Sequence, residues 1–566
     1  MEKAWLTQYP PQVPAEVDVH QFASIPALLD DSFSRFARLP AFTNLGATMS
    51  YREVDELSRQ FGAWLQHEAG VDKGERVAIM LPNLLQYPVA LFGALRAGAV
   101  VVNTNPLYTA RELEHQLVDS GATCLVVLEN FAHVADEVIA RTGVRTVVTT
   151  QVGDLLHFPK SMLANFVVKH VKHMVPRWRL DGAVPLRRAL EAGRGRPMDP
   201  VPLAASDLAF LQYTGGTTGV PKAAMLTHGN LVANVLQTRE WVRGVLEEGV
   251  ETGLVPLPMY HVFALAVVLI FMRIGAHSVL VTNPRELPEL VALLRDSRAT
   301  ALIGVNTLYN ALLNAPGIEQ VDTARMKLAI GGGMAVQAAV AERWQQRFGM
   351  PIIEGYGLTE CSAIVTANPL TLKAFSGTVG VPIPSTEVAI LDEAGHQLPA
   401  GSEGEIAVRG PQVMAGYWNR PVETATALTL DGWLRTGDIG VMDANGYLRV
   451  IDRIKDLIVV SGFKVVPNEV EDVAMMHPGV MEVAAIGTPD ERSGEAVTLV
   501  VLRKDPALSA QELIDHCRKY LTGYKAPKDV RFRDQPLPKS NIGKILRRVV
   551  RDEEGDRPRR GLSPGV

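Results

Sequence analysis

The run Tyr213-Thr-Gly-Gly-Thr-Thr-Gly-Val-Pro-Lys222 decides how this chain is read. It follows the apolar, strand-like Leu208 to Tyr213 and precedes the helix-like Asn230 to Leu236, which places a glycine-rich loop between a strand and a helix. Glycines let successive backbone N–H groups close around phosphate oxygens, and here the threonines add hydroxyls and the lysine a cation. Thr214, Gly215, Gly216, Thr217, Thr218, Gly219 and Lys222 are therefore candidates for a phosphate cradle. No Gly-Lys-Ser/Thr follows at the Walker A gap, so the P-loop NTPase reading fails. A flexible glycine loop is the competing reading, and the density of hydroxyls counts against it.

Outward from this loop the pattern is that of layered α/β structure. Between about Ala27 and Thr150, short apolar runs such as Arg76-Val-Ala-Ile-Met-Leu alternate with helical stretches such as Gln86 to Arg96. Further strands are expected at Ala122–Val127, Val144–Thr149, Ser278–Val281, Ala301–Val305 and Leu328–Ile330. After about Gly380 the texture changes to short alternating strands, Glu387–Leu391 and Gly404–Arg409 among them, separated by Gly, Pro and Asp turns. The charged Asp452-Arg-Ile-Lys-Asp456 precedes a new apolar run from Leu457. The expected fold is α/β, with a large multi-layer N-terminal domain (1–454) carrying a β-rich subdomain and a small α/β C-terminal domain (455–566). The tail after Arg551 is expected to be a disordered end.

Composition narrows the class. Hydrophobic residues make up 47% and charged residues 21% of 566 residues, the profile of a folded, several-unit enzyme. A net charge of -5 gives no field able to hold a nucleic-acid backbone, so no nucleic-acid partner is expected. Cys124, Cys361 and Cys517 are far apart, which suggests neither a disulfide framework nor a cysteine zinc site and fits a reducing compartment. With no apolar stretch of signal-peptide length near the start and no run of the roughly 18 to 20 residues that spans a bilayer, a cytoplasmic location is expected.

Three more clusters carry chemistry. Glu354-Gly-Tyr-Gly-Leu-Thr-Glu360 combines an aromatic face, a hydroxyl and a carboxylate, the groups needed to stack a purine, bind phosphate and ligate Mg²⁺, although a turn with a surface glutamate has the same composition. In Gly432-Trp-Leu-Arg-Thr-Gly-Asp438 the aspartate is able to accept from ribose hydroxyls or simply to form a turn. Leu537-Pro-Lys-Ser-Asn-Ile-Gly-Lys-Ile-Leu-Arg-Arg548 sets Lys544 after a glycine in a basic segment, a pattern that also serves as a solvated face. Neither HExxH nor GxSxG occurs.

Taken in order, the four clusters resemble those of the adenylate-forming (AMP-binding) superfamily, most closely bacterial long-chain fatty acid CoA ligases, over roughly residues 25 to 550. Tyr213–Lys222 is similar to that family's phosphate loop, Tyr356–Glu360 to its Tyr-Gly-x-Thr-Glu motif, Thr436–Asp438 to its ribose-binding motif, and Pro538–Arg548 to the segment bearing its catalytic lysine, with Ser540 where Thr is frequent. The resemblance implies an ATP-dependent acid–thiol ligase that forms acyl-AMP from a long-chain fatty acid and passes the acyl group to coenzyme A, with ATP, CoA and Mg²⁺ required. Lys544, Thr359, Glu360 and His261 are then expected at the reacting atoms, with Mg²⁺ held near Glu360. Tyr356 would stack on adenine, Gly331, Gly332 and Gly333 allow close backbone approach, and Asp438 and Arg453 hold the ribose. Lys455 becomes a hinge that makes the small domain mobile, and Ser461, Gly462 and Phe463 lie near the pantetheine channel, with Lys525 a weaker candidate for a CoA phosphate. His261, in Pro258-Met-Tyr-His-Val-Phe263, matches a family histidine beside the acyl site, while a lone histidine on an apolar face is more often a satisfied core residue. An adenylating ligase for an aryl or medium-chain acid, or a non-catalytic acyl-binding protein, is the alternative; retention of Lys544, Glu360 and Asp438 argues against the last.

Two readings concern lipid. Phe263–Phe271 and Leu302–Asn310 are expected either to line an acyl tunnel or to pack as core, and sequence does not separate the two. In the segment 158–179, Met162, Leu163, Phe166, Val167, Val171 and Met174 recur near helical spacing among Lys160, Lys169, Lys172, Arg177 and Arg179, which predicts an interfacial amphipathic helix with peripheral membrane contact, or else a basic surface helix. A homodimer is compatible with the sequence.

Overall fold

Period-two alternation sorts the side chains of the strand Arg76–Met80: Val77 and Ile79 enter one core, Ala78 and Met80 another. The computed structural model, which describes residues 3–214, 221–490, 492–540 and 543–555, sets this strand at the centre of a seven-stranded sheet. Its order is Val184–Pro185, Thr146–Thr150, Ala122–Leu128, Arg76–Met80, Val100–Asn103, Leu208–Thr214 and Lys222–Thr227, parallel except for the last pair. A nine-stranded sheet runs from Val381–Pro382 through Thr366–Ala367, Ile352–Tyr356, Leu328–Gly331, Ala301–Gly304, Thr252–Val255 and His277–Leu280 to Pro40–Asn44 and Ala47–Ser50, parallel in its middle and antiparallel at both ends.

The two sheets share a layer of helices. Gln86–Arg96 and Val262–Arg273 are buried almost all round, as an apolar helix between two sheets must be. The core they occupy joins Phe210 of the first sheet to Phe42, Val255 and Ile303 of the second. Separate cores cover the two outer faces. The strands lie within one or two residues of those expected, and the helix after the phosphate loop grows to His228–Val242 because Thr227 and Asn230 close a capping box at its start.

An antiparallel four-stranded sheet follows, Glu387–Leu391, Glu403–Arg409, Leu434–Met442 and Leu448–Arg453. The smaller C-terminal domain has its own five-stranded sheet and core, beginning at Ile458–Val460 and ending with Asp529–Arg533 beside Gly494–Arg503.

Two expectations change and one open alternative narrows. The segment 158–179 is not one helix: Lys160–Phe166 is α-helical, Val167–Val171 widens into a π-turn, and the rest is irregular. His173 adopts a positive φ of 50°, and Pro176 disfavours helical backbone in the residue before it, so the helix cannot continue. The tail is ordered further than Arg551, since the helix Arg547–Gly555 holds Glu554, whose backbone carbonyl accepts from Arg531 Nη1 at 2.8 Å; residues 556–566 lie outside the described residues. The runs expected as tunnel or core are packed as core where they are most apolar: Leu265 to Met272 is buried in the shared helical layer, and Tyr309 donates to the carbonyls of Leu302 and Ile330.

Candidate active site

Parallel strands deliver loops to one sheet edge, and the candidate residues sit at such strand ends: Thr214 after Leu208–Thr214, Gly331 after Leu328–Gly331, and Tyr356 after Ile352–Tyr356. Thr214 and Lys222 face each other across an antiparallel pair, closing the neck of the phosphate loop. Gly215, Gly216, Thr217, Thr218 and Gly219 lie outside the described residues.

The Tyr356 hydroxyl donates to Asp438 Oδ2 at 2.7 Å, and Arg453 Nε lies 3.0 Å from Asp438 Oδ1. Asp438 and Arg453 are cross-strand partners in the four-stranded sheet, so antiparallel register alone sets the pair. Burial, then Asp438, holds the Tyr356 phenol well above its ordinary range, which keeps it a donor. Glu360, in the short turn Thr359–Cys361, accepts from the Tyr417 hydroxyl at 2.7 Å, and Lys222 Nζ stands 5.1 Å from the centre of the Tyr417 ring. Tyr417 thus links the carboxylate to the lysine of the phosphate loop. Asp119 supports the same region, accepting from Tyr213 Oη at 2.7 Å and Arg420 Nη2 at 3.0 Å, while its carbonyl accepts from Trp418. Sequence reading missed both residues: Gly416-Tyr-Trp418 carries no charge pattern, and Asp119 sits at a helix end 94 to 301 residues from its partners.

Lys544 arrives from the small domain on a tight turn. Its N–H donates to Ser540 Oγ at 3.2 Å and its carbonyl accepts from the Ser540 N–H, so the hydroxyl at position 540 shapes the loop. The carbonyl of Gly543 accepts from Thr307 Oγ1 at 2.9 Å, fastening this turn to the large domain. Burial foremost, then Arg453 and Arg547, push the Lys544 amine down to about 8, against Asp438 and Asp456. The ring of His261 is pushed down to about 4 by burial and by Lys544, which leaves it neutral at physiological pH. His261 Nδ1 accepts from the Phe263 N–H at 3.3 Å and caps Val262–Arg273. Lys544 thus lies within electrostatic reach of Arg453, Asp438 and His261, and Asp438 carries the link on to Tyr356.

The glycine run has a second reason beyond ligand approach. A Cβ on Gly332 would stand 2.9 Å from the Phe263 ring, and one on Gly331 2.7 Å from Val336, whereas Gly333 is exposed with φ of 75°. Ser461, Gly462 and Phe463 are not in the Lys544 group. They form an exposed two-residue hairpin turn with positive φ at both central positions, tied by Ser461 N–H to the Ser493 carbonyl and by Phe463 to the Tyr524 ring. Lys525 is ion-paired with Glu469 at 2.7 Å, so a CoA phosphate there would compete with a carboxylate.

Glu360 is the carboxylate that fits Mg²⁺. Among the described residues no three metal-ligating side chains converge, but Mg²⁺ is held by one or two carboxylates with substrate phosphates completing the shell. All three cysteines are buried and free, and burial raises each thiol above its ordinary value, which removes them as nucleophiles.

The AMP-binding enzyme family matches residues 29–418, and the AMP-binding enzyme C-terminal domain matches residues 469–544. A long-chain-fatty-acid–CoA ligase of Yersinia pestis is 52% identical over 555 residues, covering 98% of this chain and 98% of that protein. One from Escherichia coli O6:H1 is 51% identical over 554 residues with the same coverage. Among solved structures, ATP-bound MatB from Rhodopseudomonas palustris aligns with a TM-score of 0.81 at 29% identity, over 94% of this chain and 99% of that one. With both domains matched and the two long-chain ligases about half identical over nearly the whole chain, the chain belongs to the AMP-binding enzyme family.

Proposed function

We propose that the chain is a long-chain fatty acid CoA ligase that converts a fatty acid, ATP and coenzyme A to acyl-CoA, AMP and pyrophosphate. The observation that supports the reading most is that the turn bearing Lys544 is fastened to the large domain through Gly543 and Thr307, with the Lys544 amine under the influence of Arg453 and Asp438. In the first step a carboxylate oxygen attacks the α-phosphorus of ATP and the bond to the pyrophosphate oxygen breaks. The enzyme's task is to offset charge on oxygen. Lys544 would bridge the carboxylate and the α-phosphate, while Thr214, Thr217, Thr359 and Lys222 serve the phosphates. Mg²⁺ at Glu360 supplies charge neutralisation when bound, and Tyr417 orients that carboxylate. Asp438 and Arg453 take the ribose and the Tyr356 ring the adenine.

In the second step the CoA thiol attacks the acyl-adenylate carbonyl, its proton is released, and AMP leaves with the C–O bond electrons. The chain divides at Lys455, and rotation of residues 455–566 about it would withdraw Lys544 and bring in the Ser461–Phe463 hairpin. Positive φ at Ser461 and Gly462 holds that hairpin in a form presented to solvent. Choice of long chains rests on similarity to the Yersinia and Escherichia ligases. The test is pyrophosphate release across acids of rising chain length, with and without CoA. A long-chain optimum with CoA-dependent thioester supports the reading; an aryl optimum or no acid-dependent release overturns it.

Peripheral membrane contact belongs to the same reading. No helix among the described residues is long and apolar enough to cross a membrane. In Lys160–Phe166 the ordinary arrangement is inverted. Ser161 is buried and Asn165 accepts from the Gly153 N–H, while Phe158, Met162, Leu163, Phe166, Val171 and Met174 are each more than half exposed beside Lys169 and Lys172. An apolar surface flanked by cations fits an anionic lipid headgroup layer. Co-sedimentation with anionic vesicles should fall in Lys169→Glu/Lys172→Glu; unchanged binding would end this part of the reading.

A further inference from the structure

We infer that Arg547 is a positioning residue that latches Lys544 into the acyl-adenylate-forming arrangement across the hinge. Arg547 opens the helix Arg547–Gly555, three positions after Lys544, and its side chain is 13% exposed. Every donor group of the guanidinium is used. Nη1 reaches both Asp452 oxygens at 2.9 and 3.1 Å, Nε and Nη2 take the two Glu471 oxygens at 2.7 Å, and Nη2 also donates to Asn468 Oδ1. Such forked geometry suits arginine and not lysine.

The partners come from opposite sides of Lys455. Asp452 is buried in the strand Leu448–Arg453 of the large domain, immediately before the arginine that pairs with Asp438. Glu471 and Asn468 belong to the helix Pro467–Met475 of the small domain. Asn468 adds two bonds of its own across the same junction, donating from its side chain to the Ile451 carbonyl at 2.9 Å and from its N–H to Asp452 at 3.2 Å. Glu471 is meanwhile anchored to its own domain through the Ala485 N–H at 2.9 Å. One guanidinium therefore fixes the root of the Lys544 loop to both domains. Rotation about Lys455 pulls Asp452 away from Arg547 and Asn468 while the Arg547–Glu471 fork travels with the small domain. The latch is specific to one of the two orientations.

This rests on the two-step ligase reading, and the two half-reactions separate its failure from failure of that reading. Acid-dependent pyrophosphate–ATP exchange and thioester formation from supplied acyl-adenylate are measured in the wild-type protein, Arg547→Met, Arg547→Lys and Asp452→Asn. If the wild-type protein performs neither, the ligase reading falls. If it performs both, exchange should drop about 100-fold in Arg547→Met, the scale of a misplaced reacting group, with partial recovery in Arg547→Lys and thioester formation within threefold of wild type. Asp452→Asn, which leaves the fork to Glu471 intact and keeps the side-chain shape, should show the same one-sided loss in smaller degree. Equal loss of both half-reactions, or exchange unchanged in Arg547→Met and Asp452→Asn, overturns the latch.

Discussion

At the scale of single residues, Lys544 combines the charge proposed for adenylation with surroundings that disfavour it. Burial and two arginines push its amine down to about 8, so without nucleotide a rising pH discharges it. The sign follows from linkage. The closed arrangement binds the proton less tightly than an open one with an ordinary lysine, so raising the pH from about 8 favours closure while removing the cation that closure is meant to deliver. The kcat/KM for ATP in the adenylation step should fall as pH rises through about 8, and this limb should disappear in Lys544→Arg, which stays protonated. Lys544→Ala should lose about 10²- to 10³-fold in adenylation while keeping thioester formation from supplied acyl-adenylate. Equal loss of both steps would contradict domain alternation.

At the scale of elements, the helix Val262–Arg273 gives a candidate catalytic side chain a structural task as well. His261 is its N-cap, held neutral at the junction of the shared helical layer and the Lys544 group. Its folded-state value lies below the ordinary histidine value, so its stabilisation is complete above pH 6.5 and fades as pH falls towards about 4. His261→Ala should cost about 1 kcal/mol as a lost cap, whereas His261→Asn, which retains an acceptor, should cost less and flatten the acid slope of Tm against pH. If His261→Asn instead abolished adenylation with Tm unchanged, a chemical role for the imidazole would be restored. The short helix Lys160–Phe166 makes the opposite point: its apolar spacing is legible, but which face meets the protein is not, and the polar face is the one that docks.

At the scale of the whole molecule, the candidate site draws on both domains, joined by the bond from Thr307 to the Gly543 carbonyl. Gly543 touches Thr307 with φ of 85°, and a Cβ there would stand 2.7 Å from Thr307 Oγ1. Gly543→Ala should therefore crowd Thr307 in the closed arrangement and reduce adenylation at least tenfold while sparing thioester formation, the positive φ itself costing about 1 to 2 kcal/mol in either orientation. Separate kinetics of the two half-reactions check it; a uniform loss would place the strain in the small domain itself.

The layered α/β architecture and the change to antiparallel strands after about Gly380 were legible from sequence, because strand periodicity and glycine turns are short-range signals, and the runs around Tyr356–Glu360, Asp438 and Lys544 stand out there as candidates by their locally dense functional groups. The Tyr417–Glu360 bond, the Asp119 junction and the fork of Arg547 were not. Each joins residues from about 57 to 301 positions apart, or across the hinge, through hydrogen bonds that no local pattern encodes. Tertiary structure also decided that His261 caps a buried helix and that the 158–179 segment breaks after one short helix. Burial and backbone direction, not residue type, settle what a side chain faces. The sequence by itself determined which chemical groups are present and on which elements; only the packing of sheet edges and domains decided which of them share charge, and so which can act together.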